Sequence, residues 1–119
     1  MTNYKEQRPW GEFEVLLDTE YCKVKQITVK PHEALSLQYH KHRSEVWTIV
    51  QGEANIQINN ITHNLQKGET INIPLNAVHS VANLNDIDLI FIETQLGSYF
   101  GDDDIVRISD KYGRICYSQ

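Results

Sequence analysis

Turn-forming residues recur so often along this chain that the segments between them are short, and between Phe13 and Gln95 none keeps a helical period. Pro31, Gly52, Gly68, Pro74 and clusters of Asn and Asp separate runs rich in Val, Ile, Thr and aromatic residues, a spacing that predicts strands. The candidate strands are Phe13–Leu17, Val24–Lys30, Leu35–Tyr39, Glu45–Val50, Ala54–Ile58, Ile61–Leu65, Thr70–Ile73, His79–Asn83 and Leu89–Gln95. Ala54, Ile56 and Ile58 alternate with polar neighbours, and Asn59 and Asn60 tolerate the positive φ that a two-residue hairpin turn requires. About nine short strands, each with one apolar face, must hide their edges, so the expected fold class is all-β, a small closed barrel. The stretch from Gly101 to Arg114 differs. Asp102, Asp103 and Asp104 precede Ile105 and Val106, and Gly113 follows, which fits one or two capped helical turns or a final strand.

A chain of 119 residues holds one such domain, spanning 1–119. Its 11 Lys and Arg against 16 Asp and Glu give a net charge of −5, which argues against nucleic-acid and membrane phosphates as partners. No apolar run approaches the ~20 residues that cross a bilayer. The first twenty residues mix charges throughout and lack a secretory pattern, so a cytoplasmic location is expected. Cys22 and Cys116 form no CxxC pair and read as free thiols.

The chemistry-bearing residues cluster around one pair of histidines. His40 and His42 lie two apart at the end of a predicted strand, where period two puts both imidazoles on one face with Cα atoms roughly 7 Å apart. Gln38 shares that face and Glu45 follows after a short turn. Two imidazoles and a carboxylate make a three-ligand set with coordination positions left open, and His79 is available as a fourth ligand. Donors of nitrogen and oxygen without thiolate suit a divalent transition metal, whether zinc, manganese, cobalt, nickel or iron.

Spacing strengthens this reading. Gly52 follows Glu45, and Gly68, Pro74, His79 and Asn83 then come in order. The set resembles the two sequence motifs of the cupin superfamily, with Asn76 standing for the glycine of the second motif and tolerating the positive φ that a glycine would supply. The words Arg8–Gly11 (RPWG), Leu35–Trp47 (LSLQYHKHRSEVW), Ile92–Gln95 (IETQ), Gly97–Arg107 (GSYFGDDDIVR) and Asp110–Arg114 (DKYGR) are similar to the cupin domain of type II mannose-6-phosphate isomerases. They span almost the whole chain. Departures include His32 where glycine is usual and Val46 where histidine is frequent.

The resemblance implies a jelly-roll barrel that pairs as a homodimer, with a divalent metal held by His40, His42, Glu45 and His79. It implies a sugar-phosphate ligand and an isomerase interconverting mannose 6-phosphate and fructose 6-phosphate, here standing without the guanylyltransferase domain to which such modules are commonly fused. The metal would stabilise charge on the sugar oxygens while a base moves the proton. Glu93, a carboxylate in an apolar strand, is the first candidate for the base. Glu45 is the alternative if Gln38 serves as a metal ligand in a Q-x-H frame. Arg43 and Arg107 are the expected contacts to substrate, each able to fork onto a phosphate. Lys41 faces solvent, and Trp47 floors the cavity or packs in the core. Trp10, Tyr99 and Tyr112 read as packing residues and His63 as a surface one. The competing function is a non-catalytic cupin that binds a sugar phosphate or sugar nucleotide.

Overall fold

The computed structural model describes residues 4–109. Its eleven strands are β1 (Tyr4–Arg8), β2 (Gly11–Asp18), β3 (Cys22–Val29), β4 (Leu37–His40), β5 (Arg43–Gln51), β6 (Ala54–Ile58), β7 (Ile61–Leu65), β8 (Thr70–Ile73), β9 (His79–Ala82), β10 (Leu89–Gly97) and β11 (Ile105–Ser109). Every pairing is antiparallel. One sheet runs β1-β2-β3-β10-β5-β8 and the other β11-β4-β9-β6-β7, and the two face each other across the core. Among the described residues the one helical element is a single 3-10 turn, Asp102–Asp104, so no helix there is long and apolar enough to cross a membrane.

The all-β expectation is met, with adjustments at the ends. The Asn59–Asn60 turn takes φ values of 48° and 70° and puts Ile58 directly opposite Ile61. Both readings of the acidic stretch are realised in sequence, the 3-10 turn first and β11 after it. Strand β1 was not expected, because YKEQR carries one hydrophobic residue and no alternation. It forms by pairing with β2 through a tight turn, and Gly11 at the start of β2 lets that strand lie close to β3, since a Cβ there would sit 2.0 Å from the Thr28 carbonyl oxygen. Cys22 is a free thiol, while Cys116, Tyr112 and the Asp110–Arg114 word lie outside the described residues.

The central strands β3, β10 and β5 set the interior. Burial alternates along them, so Lys25, Ile27 and Val29 point inward from β3, Leu89, Phe91, Glu93 and Gln95 from β10, and Arg43, Glu45, Trp47 and Ile49 from β5. Register aligns these rows: Leu89 lies opposite Val29, Phe91 between Ile27 and Ile49, Glu93 between Lys25 and Trp47, and Gln95 opposite Glu45. One end of the interior is therefore apolar and the other ionisable. The apolar end joins Ile56, Ala54, Val81 and Ile73 in the core.

Candidate functional site

The polar end opens into a cavity of about 70 Å³ bounded by both sheets. Gln38, His40, Arg43, Glu45, His79, Glu93 and Arg107 all line it. His40, Glu45 and His79, each buried, offer ligand atoms that lie within 4.8 Å of one another. Two loops bring this about. The Pro74–Asn76 turn, with Asn76 at φ 64°, donates the Asn76 N–H to the His40 carbonyl at 2.8 Å and leads into β9, leaving the His79 ring 5.1 Å from the His40 ring. The β4–β5 turn reverses the chain between His40 and Arg43.

That reversal corrects the expectation for His42. Strand β4 ends at His40, so period two stops there and the second imidazole does not follow the first inward. The His42 side chain is 56% exposed, and its Nδ1 lies 2.8 Å from a carboxylate oxygen of buried Asp104. Asp104 also accepts the backbone N–H groups of Lys41 and His42, at 3.1 and 3.0 Å, and so fixes the turn. Burial alone would raise the Asp104 pKa; the hydrogen bonds from His42 and Lys41 outweigh it and hold the carboxyl below the usual range. The residues that face the cavity instead are Gln38 and His40, with Gln38 in register opposite His79. The pair that faces the cavity is thus Q-x-H, Gln38 and His40, followed five residues later by Glu45.

Arg43 enters the cavity in the place expected for His42. It is 3% exposed, and its Nε donates to Glu45 at 2.9 Å, its Nη2 lies 3.0 Å from His40 Nε2 and its Nη1 is 3.4 Å from the Gly101 carbonyl. Those contacts engage the guanidinium with the ligand cluster. The other Glu45 oxygen accepts the Trp47 indole N–H at 2.9 Å, so Trp47 both floors the cavity and orients the carboxylate. Arg107 lies on β11 opposite Gln38. Glu93 is fully enclosed, accepts a 2.6 Å hydrogen bond from Gln95, and has its pKa raised to about 7 by burial first and the Glu45 charge second.

The donor set suits a divalent cation. Burial, with the charges of Arg43 and His79 adding to it, lowers the His40 pKa to about 3, and burial lowers that of His79, so both imidazoles are neutral ligands at pH 7. His79 Nδ1 lies 2.9 Å from the Ala77 carbonyl, which holds the proton on Nδ1 and leaves Nε2 as the lone pair. Arg43 stands against two of the three donors as an internal cation.

Several residues were missed from sequence. Lys25 is 5% exposed at the cavity wall, Arg8 and Asp102 line the same wall, and Gln95 is fully buried with its Oε1 lacking a hydrogen-bond partner among the described residues. A lysine in β3 at the inward parity of Ile27 and Val29 was the available signal for the first. Tyr99, expected to pack, is 45% exposed, hydrogen-bonds to Asp103 and meets His42 edge-on. Asn83 of the second motif is structural, donating to the Val29 and Ile87 carbonyls at 2.9 and 2.8 Å.

Known structures share this architecture. The capsular polysaccharide assembling protein CapF from Staphylococcus aureus superposes over 92% of the chain and 33% of its own, with a TM-score of 0.82 at 21% identity. An RmlC-like cupin from Shewanella frigidimarina covers 85% and 87%, with a TM-score of 0.72 at 17% identity. The fold is a cupin barrel. In sequence, the chain is 46% identical over 108 residues to mannose-1-phosphate guanylyltransferase ManC of Salmonella typhimurium, covering 91% of the chain and 22% of that protein. Alginate biosynthesis protein AlgA of Pseudomonas aeruginosa is 45% identical, at 90% and 22% coverage, and xanthan biosynthesis protein XanB of Xanthomonas campestris is 43% identical, at 92% and 24%. The chain spans less than a quarter of each of these relatives. These relatives overturn the expectation of a mannose-6-phosphate isomerase: the sequence corresponds to the cupin portion of proteins several of which are named mannose-1-phosphate guanylyltransferases. With a match over residues 1–110, the chain belongs to the family described as mannose-6-phosphate isomerase C-terminal.

Proposed function

We propose that this chain is a binding module for a mannose phosphate, with a divalent transition metal as part of its recognition site. The observation that carries the reading is the convergence of His40, Glu45 and His79 in one buried cavity whose wall also holds Arg8, Lys25, Arg43 and Arg107 against Glu45, Glu93 and Asp102. Four cations face three carboxylates there, in a chain whose net charge is −5. Such a lining selects an anionic ligand with polar substituents. The names of the relatives that act on mannose 1-phosphate supply the sugar.

His40, Glu45 and His79 would hold the ion, with Gln38 beside them, and a bound cation supplies a Lewis-acid anchor for sugar hydroxyl oxygens. Trp47, fixed by its bond to Glu45, and Phe13 keep water from the inner wall. Glu93, titrating near neutrality, presents a carboxyl able to donate or accept a hydrogen bond. The homodimer and the cytoplasmic location implied by the sequence belong to the same proposal, and light scattering at high micromolar concentration tests the dimer.

Calorimetric titration of the metal-loaded chain with mannose 1-phosphate tests the function. Saturable binding that weakens about tenfold or more with chelator, and in His40→Ala, is expected. Absence of binding by protein that demonstrably holds the metal overturns the reading.

A further inference from the structure

The part of the cavity wall built by β1, β2 and β3 carries an arrangement that the ligand set does not explain. Lys25 holds its amine in a 5% exposed position, where burial lowers its pKa against the opposing charges of Glu93 and then Asp102, and among the described residues its Nζ makes no hydrogen bond. Its nearest carboxylate oxygen belongs to Asp102, at 3.8 Å, and its Nζ sits 4.2 Å from the centre of the Phe13 ring. Arg8, two strands away, places its guanidinium carbon 5.2 Å from the same ring and its Nη2 3.6 Å from the other Asp102 oxygen. Arg8 is also paired with Glu6. Phe13 therefore separates and supports two cations that converge on one acceptor.

Asp102 fits that position loosely. Its oxygens stand at 3.6 and 3.8 Å, beyond hydrogen-bond range for nitrogen donors, and its side chain is 52% exposed. It lies on the single 3-10 turn, Asp102–Asp104. A carboxylate brings one charge and two oxygens. A phosphate monoester brings close to two charges and three terminal oxygens, enough to bond Lys25 and Arg8 together at 2.7–2.9 Å, a typical charge-assisted distance.

We propose that Lys25 and Arg8 form a phosphate-monoester subsite in the cavity that His40, Glu45 and His79 also line, and that Asp102 is an internal competitor occupying it until ligand arrives. The subsite rests on the mannose-phosphate reading for its sugar but on Lys25, Arg8 and Asp102 alone for its phosphate. It moves the phosphate contact away from Arg43, whose donors are already engaged by Glu45 and His40. Entry of the ligand displaces the Asp102 turn, which Arg43 otherwise ties to the ligand cluster through the Gly101 carbonyl.

The experiment titrates inorganic phosphate, then mannose 1-phosphate, into the full chain and its variants, with thermal melts confirming folding. Asp102→Asn should tighten inorganic phosphate about tenfold by removing the competitor, while Lys25→Met and Arg8→Gln weaken it by a similar factor. Lys25→Arg should restore binding, which a purely structural lysine would not require, and Asp102→Asn should give no gain in the Lys25→Met background. Should Lys25→Met not fold, Arg8→Gln and Asp102→Asn decide the matter. Unchanged phosphate affinity in Asp102→Asn, or in Arg8→Gln, overturns the subsite. If the chain binds inorganic phosphate as described but not mannose 1-phosphate, the sugar reading fails and the subsite stands. If mannose 1-phosphate binds equally to wild type, Lys25→Met and Arg8→Gln, the subsite fails and the sugar reading stands.

Discussion

The two ends of the barrel interior are built on the same three strands and bury opposite chemistries. Val29, Leu89, Phe91 and Ile49 fill one end, and two to six residues along the same strands stand Lys25, Glu93, Gln95, Arg43 and Glu45, also buried. Alternation places both sets inward with equal regularity. What separates them is how each satisfies burial: the apolar end by contact alone, the polar end by hydrogen bonds and ion pairs in which Arg43 serves Glu45 and His40 together, with Gln95 Oε1 left without a hydrogen-bond partner among the described residues. An uncompensated charge at that depth would cost several kcal/mol. Stability thus resides at one end, and a preorganised polar cluster, open to ligand, at the other.

The largest expected effect breaks the apolar end. Phe91 is fully buried, with its ring 4.7 Å from that of Trp47. Truncation in Phe91→Ala leaves a cavity that a two-sheet core cannot close, at a cost of about 3–5 kcal/mol. Urea unfolding should show that loss. Metal affinity measured below the transition should stay near wild type, since none of the donor atoms rests on Phe91. A variant losing metal as steeply as stability would show that the two ends are not separable.

The next effect belongs to the polar end and depends on pH. Glu93 in the folded chain has a pKa of about 7 against an ordinary glutamate value of 4.5. A raised folded pKa means that the native state binds the extra proton between those values, so its contribution is present below about pH 4.5 and is lost as pH rises through 7. His40 and His79 shift the other way and favour folding as pH rises toward 6.5. Only a difference against a variant therefore isolates Glu93. Glu93→Gln, measured with chelator by urea unfolding from pH 4 to pH 8, should gain on wild type by on the order of 3 kcal/mol over that range. A constant difference across pH would mean that Glu93 does not change its protonation with folding.

Much of this division was legible in the sequence, and its limits have physical causes. Alternation identified most strands and the shared parity of Glu45 and Trp47, while Glu93 was picked out as a carboxylate in an apolar strand and His79 by its place in the second motif. The Asn59–Asn60 and Asn76 turns were readable because few non-glycine residues tolerate positive φ. Reading failed where one residue decides where a strand ends. Continuing β4 through His42 keeps a period that the turn at Lys41 and His42 interrupts, and the residue that stabilises that turn, Asp104, lies 62 positions away from His42. The same distance problem hid the meeting of Lys25 with Asp102, whereas β1 was hidden because YKEQR carries no alternation and forms a strand only by pairing with its neighbour β2. The identity of the donor frame, Q-x-H against H-x-H, was an alternative that spacing alone left open.

The smallest effect gives the sharpest test of that frame. His42 and His40 are chemically identical and two residues apart, yet one is 56% exposed against Asp104 and the other buried beside Glu45 and His79. His42→Ala removes one partly exposed contact to Asp104, which keeps both backbone N–H groups, so stability should fall by less than about 1 kcal/mol. Metal affinity, titrated with cobalt and followed by its visible absorption, should stay within about twofold of wild type, because the substitution leaves the donors of a site that His42 does not enter. His40→Ala deletes a donor and should weaken the same titration more than about tenfold. Equal losses in both variants would mean that the β4–β5 turn rearranges to bring His42 inward on metal binding. Asp104 would then be left buried without its imidazole partner, and Asp104→Asn should tighten the metal in that case while leaving it unchanged if the Q-x-H frame holds.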